Sequence, residues 1–177
     1  MVREILIWPD PTLKKKASKV AVVDESIRTL VNDLFETMYA ADGVGLAAPQ
    51  VGVLKNVIVL DTTPRQPEAK PLAMINPEIV SLEGSTRYTE GCLSIPGEAE
   101  DVDRAAVVTV RFLDVEGQEQ LLTADGLLAI AIQHETDHLQ GTVFVDRIST
   151  LKRELIRKRM KKLKAERVAE REGAPAP

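Results

Sequence analysis

The order of apolar and polar residues divides the chain into alternating kinds of segment. Ile5 to Pro11 reads as a short extended piece broken by Pro9 and Pro11, and Leu13 to Ala17 as one basic helical turn. From Asp24 the apolar residues Ile27, Leu30, Val31, Leu34, Phe35 and Met38 recur at the 3.6-residue period, which predicts a helix capped by Asp24 and stopped by Gly43. Gly43 to Gly52, GVGLAAPQVG, has too many glycines for regular structure and predicts a loop whose backbone can approach another group closely. Val57 to Leu60 is a continuous apolar run and predicts a buried strand, Thr62 to Lys70 an exposed loop, and Leu72 to Ile75 and Glu78 to Thr86 further strands.

Arg87 to Gly97, RYTEGCLSIPG, shows no clear period and predicts a second irregular stretch, followed by a solvated acidic loop at Glu98 to Asp103. Val107 to Leu113 and Gln118 to Leu122 flank the turn DVEG and predict an antiparallel hairpin. A helix capped by Asp125 and closed by Gly141 comes next, then a short strand at Val143 to Val145. The last predicted helix starts at Ser149 and ends near Val168, docking through Ile148, Leu151, Leu155, Ile156, Met160 and Leu163. Strands grouped before a helix, without a repeating βαβ order, predict an α+β fold: antiparallel strands around a central helix, plus a C-terminal helix. We expect one catalytic domain over residues 1–147, a basic helix over 148–168 packed on it, and a disordered tail over 169–177.

Composition sharpens this reading. The chain has 177 residues, 44% of them apolar, enough for one sizeable core. There is no apolar run of membrane-spanning length and no signal-peptide pattern at the N-terminus, so a soluble, cytoplasmic protein is expected. The single cysteine excludes an internal disulfide and leaves Cys92 free as a thiolate. Aromatic content of 3% argues against stacking on single-stranded nucleic acid, and no DNA target is expected. The net charge of -4 conceals an uneven distribution, because residues 147–171 contain 11 Lys and Arg against 3 acidic residues. This helix is a candidate electrostatic footprint for RNA.

The chemistry concentrates in GLLAIAIQHETDHLQG, which holds both histidines of the chain. His134 and His138 are four residues apart on one helical face, with Glu135 beside them. This is the H-E-x-x-H arrangement of two metal ligands and a proton-handling carboxylate. A third ligand is needed. Phe144 stands where one protease group places a third histidine, and Glu154, a carboxylate downstream as in another protease group, suits a salt bridge with neighbouring cations better. Cys92 is the stronger candidate, since a thiolate with two imidazoles forms a reasonable site. Leu127, Ile130 and Ala131 lie on the face that leads to His134 and predict one wall of an apolar slot, with Val44 opposite. A zinc endopeptidase and a non-enzymatic ribosome-binding factor are the competing classes.

GVGLAAPQ at Gly43 to Gln50, EGCLS at Glu90 to Ser94 and QHETDHLQG at Gln133 to Gly141 closely resemble, in order and spacing, the three motifs of the peptide deformylases of bacterial type. The resemblance implies hydrolysis of the formyl group from the N-terminal formyl-methionine of nascent polypeptides, releasing formate. It implies that Cys92, His134 and His138 hold the metal, that metal-bound water is the nucleophile and that Glu135 is the general base and then acid. Gln50 and the backbone N–H of Leu93 would stabilise the oxyanion, and the backbone near Gly45 and Gly91 would border the substrate. The implied ion is Fe²⁺, with Zn²⁺, Ni²⁺ or Co²⁺ as replacements, and the implied partner of the basic helix is the ribosome. A monomer is expected. The acidic run after Pro96 is expected to repel acidic substrate peptides.

Overall fold

The computed structural model describes residues 1–173. Helix α1, Glu25–Ala40, starts where the Asp24 side chain accepts a hydrogen bond from the Ile27 N–H. Five strands, β1 (Gly45–Ala47), β2 (Val57–Leu60), β3 (Leu72–Glu83), β6 (Val107–Leu113) and β7 (Glu119–Asp125), form an antiparallel sheet in the order β1-β2-β3-β6-β7. Strands β4 (Thr86–Cys92) and β5 (Ile95–Arg104) form a separate antiparallel hairpin. Helix α2, Gly126–Leu139, carries the histidines, and helix α3, Thr150–Arg171, ends the described chain. The architecture is therefore α+β, as predicted.

Strand β2 explains why α2 is central. Val57 and Val59 pack in the cluster formed with α1, whereas Ile58 and Leu60 pack in the cluster formed with α2. The sheet is covered on both faces, which is why β2 reads as an unbroken apolar run rather than an alternating one. A third cluster joins Trp8 and Leu13 near the N-terminus to Ile95, Val102 and Phe144 and to Ile156 and Met160 of α3. The Arg157 guanidinium lies 4.9 Å from the centroid of the Trp8 ring. Helix α3 is thus attached to the hairpin and the N-terminal segment.

Several boundaries differ from expectation. Gly45–Ala47, predicted as loop, is a buried edge strand, and Ala48–Val51 is a 3-10 turn. The two strands expected within 72–86 form one strand with a bulge, where Asn76 has φ 52° and exchanges hydrogen bonds with the backbone of Val20. Arg87 to Asp103 is not irregular but the β4–β5 hairpin. Val143–Val145 is no strand, since Phe144–Arg147 forms a 3-10 turn. Asp125 stands at the N-cap of α2 without bonding it, being the last residue of β7; Gln66 Oε1 accepts from the Leu128 N–H instead. Leu151 and Leu155 are exposed, not docked. Helix α3 continues through residues 169–171, assigned to the tail by sequence, and Arg171 there pairs with Glu4 at 2.7 Å. Residues 174–177 of that expected tail lie outside the described residues. No described helix is long and apolar enough to cross a membrane.

Candidate metal centre

Helix α2 presents His134 and His138 from one face, with ring centroids 5.1 Å apart. The β4–β5 hairpin supplies the third group at its turn, where Cys92 Sγ lies 3.4 Å from His138 Nε2. One donor atom from each of Cys92, His134 and His138 falls within 4.8 Å of the others. His138 Nδ1 and Glu135 Oε2 are buried with no hydrogen-bond partner among the described residues. A thiolate and two imidazoles converging in this way fit a borderline transition-metal ion and not an oxygen-seeking cation such as Mg²⁺. Glu154, the alternative third ligand, pairs with Arg157 at 3.3 Å on the exposed side of α3. Phe144 stacks on the His134 ring, with centroids 6.3 Å apart.

A buried ion-pair network orients His134. His134 Nδ1 lies 2.8 Å from Glu90 Oε1, so with Nδ1–H donating, Nε2 presents its lone pair to the centre. Glu90 also accepts from Arg104 Nε at 2.7 Å and Nη2 at 2.8 Å, and Arg104 Nη1 donates to Asp137 at 2.6 Å. Arg147 holds Asp137 from the surface side. The Arg104 and Glu90 side chains are only 2% and 3% exposed. Burial by itself would raise the Glu90 pKa, but the Arg104 guanidinium and the His134 ring override it and hold the carboxyl down at about 2.

Glu135 lacks such partners, and burial pushes its carboxyl up to about 7 against the opposing pull of His134. A carboxyl poised there exchanges protons readily at neutral pH. It packs on the backbone of β1, because a Cβ on Gly45 would lie 2.6 Å from Glu135 Oε1. Gln50 is fixed at both ends. Its Oε1 accepts from the Ala47 N–H at 2.9 Å, and its Nε2 donates to Ser94 Oγ at 3.1 Å and points at Cys92 Sγ 3.6 Å away.

A cleft of about 630 Å³ opens over this arrangement. Val44, Gly45, Gly91, Cys92, Leu93, Leu127, Ile130, Ala131, His134 and Glu135 all line it, so nearly every residue singled out from the sequence meets at one place. Gln50 and His138 lie behind this wall, both against Cys92. The sequence reading assigned no role to Glu90, Arg104 or Asp137. Glu90 and Asp137 lie inside two of the quoted motifs, which was the available signal; Arg104 follows the run read as an acidic loop and had none.

The family model described as "Polypeptide deformylase" matches residues 2–154. A peptide deformylase of Nitrosococcus oceani is 52% identical over 161 residues, covering 91% of this chain and 95% of the relative. One of Xylella fastidiosa is also 52% identical, over 89% of this chain and 94% of its own length. Among solved structures, a peptide deformylase from Legionella pneumophila superposes with TM-score 0.87 at 47% identity, covering 93% of this chain and 96% of its own. A peptide deformylase from Ehrlichia chaffeensis in complex with actinonin gives 0.88 at 42% identity, over 91% and 96%.

Proposed function

Since the chain belongs to the polypeptide deformylase family, we propose that it removes the formyl group from the N-terminal formyl-methionine of nascent polypeptides by hydrolysis. The observation that carries this reading is the convergence of Cys92, His134 and His138 under a cleft that also exposes Glu135. Those three residues would hold one divalent ion, Fe²⁺ in the native enzyme, with Zn²⁺, Ni²⁺ or Co²⁺ able to replace it. Such an ion supplies Lewis acidity, polarising the formyl carbonyl and acidifying water.

The remaining work falls to the protein. Glu135 takes the proton of the attacking water and returns it to the amine nitrogen as the C–N bond breaks, a role that suits a carboxyl titrating at about 7. Gln50 Nε2 and the Leu93 N–H donate to the oxyanion, and losing one such donor typically slows catalysis about 10²- to 10³-fold. β1 is an edge strand, and its free side beside Gly45 accepts the substrate backbone as an added strand. Gly91 borders that backbone, and Val44, Leu127, Ile130 and Ala131 wall the methionine side chain.

Formate release from formyl-Met-Ala-Ser tests the reading. Wild-type protein should release it and Glu135→Gln should fall by at least about 10²-fold while still binding metal. An inactive, metal-loaded wild type would refute the proposal. Ile130→Phe should weaken turnover of formyl-methionyl substrates more than of smaller formyl-aminoacyl ones. Metal analysis of anaerobically purified protein tests the choice of iron.

Ribosome contact through α3 by a cytoplasmic monomer is the second part of the proposal. Leu151 and Leu155 are exposed and lie on one helical face with Lys158, a mixed apolar and cationic stripe. Co-sedimentation with ribosomes should fall with added salt and with Lys158→Glu, and indifference to both would contradict it.

A further inference from the structure

Many cations of α3 are engaged within the molecule. Lys152 pairs with Glu100, Arg153 with Asp146, Arg159 with Glu98, Lys164 with Asp10 and Arg171 with Glu4. Arg167 has no ion pair among the described residues, yet it lines the cleft above the metal centre. Its place follows from its neighbours. The Lys164–Asp10 and Arg171–Glu4 pairs lay this part of α3 along the N-terminal segment, so residue 167 faces the stretch that contains Ile5 and Ile7, which line the same cleft.

The direction of the substrate along this cleft can be read from two glycines. Gly45 packs against the Glu135 carboxyl, whereas a Cβ on Gly43 would meet Leu93 Cδ1 at 2.6 Å. Going from 45 to 43, the backbone leaves the reacting carboxyl and passes Leu93, which shares an apolar cluster with Ile5. The N-terminal segment is held beside this path by Leu6 N–H on Gln50 O and Trp8 N–H on Ser94 O. A peptide laid along 43–45 with its formyl group at Glu135 thus leaves the cleft toward Ile5, Ile7 and Arg167.

We propose that Arg167 is a specificity residue that selects acidic side chains at the third to fifth positions of the formylated peptide. This rests on the deformylase reading. It also reverses the expectation that the acidic run after Pro96 repels acidic peptides, because Glu98 and Glu100 of that run are neutralised by Arg159 and Lys152, while Arg167 and Arg65 line the cleft without an ion pair among the described residues and Arg167 is the one beside the N-terminal segment.

The test is kcat/KM for formyl-Met-Ala-Ala-Ala-Ala-amide and for peptides with Glu or Lys walked through positions three to five. In wild type, Glu at one of these positions should be favoured over Ala by about 2- to 5-fold, the size of an exposed ion pair, with the change in KM. The preference should shrink in high salt. Arg167→Glu should reverse it toward Lys. Lys19→Glu changes the net charge equally from an exposed position off the cleft wall and should retain the Glu preference. A wild type active on the Ala peptide but indifferent to Glu overturns the assignment of Arg167 alone. Equal effects of Arg167→Glu and Lys19→Glu overturn it too, by assigning the preference to the overall field. A wild type that releases no formate from the Ala peptide brings down both readings.

Discussion

Arg104 and Arg159 each grip a carboxylate with two hydrogen bonds, and both pairs involve strand β5. Arg104 holds Glu90 at 2.7 and 2.8 Å, and Arg159 holds Glu98 at 2.5 and 2.8 Å. The geometry is alike, but the first pair is almost completely buried while the Arg159 side chain is 55% exposed. In water the Arg159 pair exchanges one set of good hydrogen bonds for another. The Arg104 and Glu90 side chains are shut away from solvent, so each member of that pair depends on the other. Similar contacts therefore do different jobs: one fixes the His134 ring and the other decides where a helix rests.

Removing Arg104 gives the largest expected effect. Arg104→Ala leaves the Glu90 charge buried and should destabilise the protein by about 3–5 kcal/mol. It should also weaken metal affinity by about 10- to 100-fold, because the acceptor on His134 Nδ1 is no longer held in place. Denaturant titration and metal competition would measure the two losses.

Acid should reproduce much of the first effect without mutation. The Glu90 pKa is lowered on folding, so its contribution to stability is complete above the unfolded carboxylate value of 4.5 and is lost as the pH falls toward about 2. The loss is on the order of 3 kcal/mol. Stability curves of wild type and Glu90→Gln should differ by a constant amount above pH 4.5 and converge as the pH falls toward 2; a difference unchanged between pH 4.5 and 2 would place the charge outside the network.

Replacing the pair as a unit separates stability from positioning. Glu90→Leu with Arg104→Met should cost no more than about 1–2 kcal/mol, since apolar packing can substitute for a buried ion pair, while metal affinity stays reduced. Recovery of both would deny the network its orienting role. The smallest effect belongs to the exposed pair: Arg159→Ala should change stability by less than about 1 kcal/mol by thermal unfolding. A loss comparable to that of Arg104→Ala would break the contrast.

These charges also explain where the sequence was hard to read. Strand β5 does alternate, since Glu98, Glu100, Val102 and Arg104 are more buried than the residues between them. Its inward positions are mostly charged, satisfied by Arg159, Lys152 and Glu90 from other elements, so the period-2 apolar signal never appears and the segment reads as a solvated loop. β1 was hidden for a different reason. Gly45 is required by the approach of Glu135, and glycine is a loop signal in any local reading. By contrast α1 and β6 bury apolar side chains at regular spacing and β2 buries an unbroken apolar run, so these were legible directly. His134, His138 and Glu135 were legible because helical spacing alone places them together, whereas Cys92 and the orienting partners Glu90 and Arg104 depend on strand register that no local pattern encodes.

The tether on Gln50 has a thermodynamic consequence. With Oε1 bonded to the Ala47 N–H, a half-turn of the amide would set its NH₂ against another donor, so only one of the two orientations is populated. The entropy of choosing that orientation is lost when the chain folds, and in the oxyanion role proposed for Nε2 none would be lost again as charge develops on the substrate. Gln50→Glu retains the acceptor for Ala47 but removes the donor, so its deficit should lie in the activation enthalpy.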